Sequence, residues 1–209
     1  MDSLAKALLL FSLVLYSLPV QSRLLQTAVT VMDAPISPRL KALLSTVCKK
    51  ADEFNICIQT LKSIPKISKA TNLKDVKNIA LDVAIDQTRR MHDFFALSFG
   101  KETVPDYKVA LATCVEAFKD AEGCFHIDGV KGLTALTKVF GARSEELKCE
   151  EGLVNHHFDI GRVKPKLNKW INYYGVAYNG VDAVESQGLH KAYYGMDAVD
   201  SPNTSAGLT

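Results

Sequence analysis

The stretch from Asn72 to Phe99 most narrows what this chain can fold into. Asn72 is a residue type that caps helix N-termini, and Asp75 stands three positions later, where a carboxylate meets free backbone N–H groups. Val76, Ile79, Ala80, Val83, Gln87, Met91, Phe94 and Phe95 then recur at spacings of three and four. Lys74, Lys77, Asp82, Asp86, Arg89 and Asp93 fall on the opposite side, and Gly100 marks the expected end. About seven turns of amphipathic helix need a partner of similar length to cover the apolar side.

The rest of the chain supplies such partners. A helix is expected over 105–123, with Tyr107, Leu111, Cys114, Phe118 and Ala121 on one side. Another is expected over 133–153, weakened in its middle by Gly141. The last begins at Pro165, a favoured first helical residue, and runs to about Ser186 along Leu167, Ile171, Tyr174, Tyr178, Val181 and Val184. A shorter helix over 39–50 carries Leu40, Leu43, Leu44 and Val47, and a second short one ends near Lys62, before Pro65. No comparable stretch alternates with period two. The fold class expected is all-α: an antiparallel up-and-down four-helix bundle with a helical hairpin at its N-terminus.

The first residues set the compartment. Ala7 to Val20 is an apolar run after a single lysine, and Val20-Gln21-Ser22 offers small residues before a cut. This is the build of a secretory signal peptide over 1–22, shorter than the ~20 apolar residues of a membrane span. The expected division is a signal peptide over 1–22, a linker over 23–37, the bundle over 38–187 and a flexible tail over 188–209. The tail carries a near-repeat, Ala177–Val184 returning as Ala192–Val199, which a small tandem duplication explains, and a glycosylation acceptor at Asn203-Thr204-Ser205. The net charge of +2 is made of scattered charges of both signs, with no basic stripe for nucleic acid.

In an oxidising compartment, five cysteines imply two bridges and one thiol that is free or intermolecular. Cys48 and Cys57 are the most local pair, although on one continuous helix their α-carbons would stand roughly 13 Å apart. Bonding them forces a turn at Lys50 to Asn55, and closing so small a loop contributes about 2.7 kcal/mol in the chain-entropy model. Cys114 with Cys124 would need a fold-back inside a helical segment. Cys114 with Cys149 and Cys124 with Cys149 remain, and composition does not choose between them.

Catalytic chemistry finds no footing. His156-His157 with Asp159, and Cys124 with His126 and Asp128, invite a metal reading. Adjacent histidines on a helix point about 100° apart, and neither group has zinc-site spacing. No nucleophile elbow, phosphate loop or Cys-x-x-Cys pair is present. The chain is read as a binding protein rather than an enzyme, with no cofactor and no metal.

Several motifs in order resemble the plant invertase/pectin methylesterase inhibitor family: Cys48 and Cys57 followed by Leu61, then Ala110-Leu111-x-x-Cys114-x-x-x-Phe118-x-x-Ala121, then Cys149-Glu150-Glu151-Gly152-Leu153, then Pro165-Lys166-Leu167-Asn168-Lys169. The likeness spans about Leu40 to Val184. It implies a Cys48–Cys57 bridge stapling the N-terminal hairpin and a Cys114–Cys149 bridge between two bundle helices, with Cys124 as the free thiol. The second bridge is worth about 3.8 kcal/mol in the chain-entropy model.

The resemblance further implies a secreted inhibitor of a plant cell-wall carbohydrate-active enzyme. The invertase branch carries Pro-Lys-Phe about sixteen residues before the fourth cysteine; here that place holds Gly132-Leu133-Thr134, and Lys138-Val139-Phe140 comes too late. The expected target is therefore pectin methylesterase, its cleft covered by a helix face from 72–99 and 105–123. Acid invertase of wall or vacuole is the alternative, and a non-inhibitory structural or signalling bundle the alternative of another class. The protein is expected in the extracellular space, with the vacuole as second location, free of the membrane once the signal is cut, and monomeric unless Cys124 bridges two copies.

Overall fold

The structure is a computed structural model that describes residues 36–194, with side chains through Ser186. Six helices follow in order: α1 Pro38–Cys48, α2 Phe54–Lys62, α3 Leu73–Lys101, α4 Pro105–Phe125, α5 Gly132–Asn155 and α6 Lys164–Tyr194. Short 3-10 turns lie at Pro65–Lys69 and Ile160–Arg162, and no strand occurs among the described residues. The signal-peptide segment, the linker through Pro35, Asn203 and most of the second copy of the near-repeat lie outside the described residues.

Helices α3 to α6 form the bundle, with α4 seated between α3 and α5, and α6 closing the ring against both. The hairpin of α1 and α2 packs mainly on α6, where Lys50 Nζ meets the Asp182 carboxylate at 2.8 Å. The chain turns back over 49–53, which brings the Cys48 and Cys57 α-carbons to 5.7 Å. Leu40, Leu44, Val47 and Leu61 are buried between this hairpin and the bundle.

Local signals explain the helix starts. The Asn72 side chain accepts the Asp75 N–H at 3.0 Å, and the Asp75 carboxylate accepts the Thr71 N–H at 2.8 Å and hydroxyl at 2.7 Å. These bonds occupy donors that helix geometry leaves unpaired. Pro105 begins α4, and the Glu102 carboxylate before it accepts from the N–H groups of Thr103 and Val104.

Two helices run past their expected ends. α3 continues through Gly100 to Lys101, and α6 continues past Ser186 to Tyr194. One glycine costs a helix only about 1 kcal/mol, so neither Gly100 nor Gly188 ends one by itself. The region 188–194, expected as flexible tail, is thus helical in backbone.

The apolar stripes are also rotated from expectation. On α3 the buried residues are Val76, Ala80, Leu81, Ala84, Thr88, Met91 and Phe95, while Ile79, Val83, Gln87 and Phe94 are only partly covered. On α6 the centre of the core is Trp170, not Ile171. One bond accounts for both shifts. The Trp170 indole N–H donates to Thr88 Oγ1 at 2.8 Å, and the Thr88 hydroxyl donates to the Ala84 carbonyl at 2.7 Å. Two polar atoms satisfy each other in the interior and pull both helices into that phase. Phe118 meets the indole edge-on at 5.4 Å and stacks on Phe95 at 5.5 Å, giving one aromatic column across three helices.

Candidate docking face

The outward sides of α3 and α4 form the face expected to meet a target. From α3 it exposes Asp82, Asp86, Arg89, Arg90 and Asp93; from α4 it exposes Glu116, Lys119 and Asp120. Arg89 bridges the two helices, its Nε 2.8 Å and its Nη2 2.7 Å from the Glu122 carboxylate. That hydrogen bond raises the Arg89 pKa above its ordinary value. Arg90 is held by Asp86 at 2.9 Å one turn away, and Lys119 by Glu116 at 3.6 Å. Beside this cluster a groove of about 620 Å³ is lined by Lys66, Asp82, Arg89, His126 and Asp128.

The other end of the face is apolar. Where α3 turns into α4, Leu97, Val104 and Val109 stand exposed, with Lys108 Nζ 5.1 Å over the Phe99 ring. A charged field with a small apolar patch at one end has the make-up of a protein–protein contact. Its ion pairs are held in advance, which lowers the ordering cost of association.

The predicted cysteines fall in three places. Cys48 and Cys57 are buried and bonded at the head of the hairpin. Cys114 and Cys149 are buried and bonded between α4 and α5, their α-carbons 4.3 Å apart, so the bridge fixes the helix that carries half of the face. Cys124 is unbonded and half-buried, its Sγ 3.6 Å from the Asp120 carbonyl. Burial, and then the Glu145 carboxylate, push its thiol pKa up. The α4–α5 approach is close because the helices present small residues: a Cβ on Gly141 would lie 3.1 Å from Cys124 Sγ, and one on Gly152 3.1 Å from Thr113 Cγ2.

The histidine pairs do other work. His156 caps α5 and His157 has φ 55°, a left-handed conformation usually filled by glycine. The His157 N–H donates to the Val154 carbonyl, and the Phe158 N–H donates to the Leu153 carbonyl at 2.9 Å. This closes the helix end and turns the chain towards α6. Among the described residues, no group of three or more His, Cys, Asp or Glu is placed to hold a metal ion.

Periodicity missed the Thr88–Trp170 pair. It also missed buried Glu146, which is paired with Arg143 one turn earlier on α5. Nearby, burial pushes the Tyr174 phenol up to about 12.

No helix among the described residues is long and apolar enough to cross a membrane. Comparison with curated proteins finds no match. The family model for plant invertase/pectin methylesterase inhibitors matches residues 42–180, more than half of the chain and all four bundle helices in whole or in part. Members of this family are inhibitors rather than enzymes, typically extracellular, and bind carbohydrate-active enzymes such as pectin methylesterase or invertase. By that match, the chain belongs to the plant invertase/pectin methylesterase inhibitor family.

Proposed function

We propose that this chain is a secreted inhibitor of pectin methylesterase, acting by laying the α3–α4 face over the enzyme's cleft. The observation that carries the reading is the face itself: a rigid, ion-paired surface on two helices, with an apolar patch of Leu97, Val104 and Val109 at one end. Two adjacent helices of this length present the roughly 800 Å² per partner of a standard interface. Pectin methylesterase is preferred to acid invertase because α5 opens with Gly132-Leu133-Thr134 at the place where the invertase branch carries Pro-Lys-Phe. Inhibition is steric exclusion of the polymer substrate and needs no group with catalytic chemistry.

Secretion rests on the signal-like segment 1–22, and it supplies the oxidising compartment in which both bridges close. Division into signal peptide, linker over 23–37, bundle over 38–187 and tail is part of the same reading, as is glycan attachment at Asn203. Cys124 remains a thiol, since its burial and raised pKa disfavour the reactive thiolate.

The test is titration of the oxidised protein against one pectin methylesterase and one acid invertase at the mildly acidic pH of the wall. Stoichiometric loss of pectin methylesterase activity alone is expected. Loss of invertase activity alone reverses the choice of target, and loss of neither overturns inhibition by this chain.

A further inference from the structure

The link between the hairpin and the bundle gathers positive charge that the docking face leaves unused. In the 3-10 turn Pro65–Lys69 and its flanks, Ile64, Ile67 and Ala70 are buried at a spacing of three, which turns Lys66 and Lys69 outward together. Lys74 follows, exposed, in the first turn of α3, and Lys131 stands exposed just before α5. Among the described residues no carboxylate pairs with any of these four lysines. Asp75, the one acid between Lys62 and Lys77, is occupied in capping α3.

Three of these lysines line one trough. An opening of about 430 Å³ is lined by Lys74, Lys77 and Lys131, and the next, of about 620 Å³, by Lys66 and Arg89. Both share Asn78, Leu81, Ile127 and Asp128, so they run together along α3, roughly 22 Å from Lys74 to Arg89 at 1.5 Å per residue. Each volume lies in the range of roughly 300–1,000 Å³ that small-molecule sites occupy. Lys77 is recessed, its side chain 14 % exposed, and its Nζ is 3.7 Å from the Glu185 carboxylate, too far for a hydrogen bond. Its ammonium therefore has donors left for a ligand. Leu81 and Ile127 give the floor an apolar strip, and Asp82 and Asp128 add two exposed carboxylates.

We propose that this trough binds an acidic polysaccharide, a chain of uronate sugars, with the lysines on its carboxylates and Asp82, Asp128 and the Asn78 amide on its hydroxyls. Lysines alone would suit any anion. The two carboxylates discriminate, because they repel a bare phosphate or sulfate but accept hydrogen bonds from sugar hydroxyls. The apolar strip suits the C–H face of a sugar ring. The choice of polymer rests on the proposed target. Hydrolysis of a methyl ester takes up water, releases methanol and leaves a carboxylate, so the enzyme's product is charged where its substrate is not. Binding of this kind keeps the inhibitor on polymer that the enzyme has already acted on.

Isothermal titration of the oxidised full chain with a short galacturonate oligomer tests this, with the methyl ester of the same oligomer as its uncharged counterpart. No enzyme is present, so failure to bind and failure to inhibit are read separately. The oligomer should bind, more weakly as salt rises, and its ester should not. Lys74→Glu/Lys131→Glu should weaken binding about tenfold or more at unchanged melting temperature. Lys166→Glu/Lys169→Glu, the same charge change at exposed positions of α6, should leave binding unaltered. Asp128→Ala should weaken it about threefold or more, whereas a site that reads charge alone would bind more tightly. No binding, equal binding of the ester, equal loss in the α6 variant, or unchanged or tighter binding by Asp128→Ala would each overturn the proposal.

Discussion

Two helix pairs of the bundle are joined by opposite means. α4 and α5 meet through small residues and a covalent bond: Gly141 against Cys124, Gly152 against Thr113, and Cys114 bonded to Cys149 between them. α3 and α6 meet through the largest side chain of the core and a buried hydroxyl, Trp170 on Thr88, with one glycine contact at Gly180. The first pair is held by constraint on the unfolded chain, the second by native packing and a satisfied polar pair. Disulfide chemistry should therefore govern one seam and volume the other.

The largest effect expected is at the packed seam. Trp170→Ala should cost about 4 kcal/mol, read from urea unfolding with both bridges intact; a cost near zero would mean that the aromatic column does not hold α6. Thr88→Val keeps the volume and leaves the indole N–H without its acceptor, for a cost of about 1–3 kcal/mol. At the covalent seam, the double variant Cys114→Ala/Cys149→Ala should lose about 3.8 kcal/mol and should respond to reductant less than the wild type does. Equal stability with and without that bridge would erase the contrast between the seams.

Glycine substitutions sharpen it further. A Cβ on Gly180 would stand 3.2 Å from the Lys77 Cα, a backbone atom that cannot rotate away. Gly175, on the same helix, has nothing within 4 Å of that position. Gly175→Ala should stabilise by about 1 kcal/mol through helix propensity, whereas Gly180→Ala should destabilise by about 1 kcal/mol or more through overpacking. Melting temperatures that move the same way in both would show that α3 and α6 do not approach so closely.

Acid acts on both pairs alike. The Asp75 carboxyl at the start of α3 is held below its ordinary range by hydrogen bonds from Thr71, and Glu102 before α4 by the N–H groups of Val104 and Thr103. A carboxyl whose folded pKa is depressed stabilises the fold above its unfolded value and loses that contribution as pH falls through the folded value. Unfolded values lie near 4, so melting temperature should stay level from neutral to about pH 5 and fall below about pH 4. Asp75→Asn and Glu102→Gln should each flatten that fall.

What the sequence disclosed follows the same division. Cysteine spacing and long stretches of three-and-four periodicity are visible without coordinates, and the helix order agrees with them. The phases of α3 and α6 were not visible, because counting apolar residues scores Thr88 as surface and makes Trp170 no better than Ile171. A buried hydrogen bond between two polar atoms has no periodic signature. Gly141, read as a weak point of α5, is where the neighbouring helix comes close. The charged half of the docking face was legible as the polar sides of two helices, but the apolar end at Leu97, Val104 and Val109 was not, since it gathers residues from two helices at a turn.

The central claim is that this α3–α4 face holds the target. Its most direct test is the inhibition constant of Leu97→Asp/Lys119→Glu against pectin methylesterase, beside Phe54→Asp on α2 as a control outside the face. Leu97 is 65 % exposed and Phe54 45 %, so neither change should disturb the core. The account predicts inhibition weakened about tenfold or more by the face variant, with unchanged melting temperature and an unaffected control. Inhibition that survives the face variant intact would contradict it.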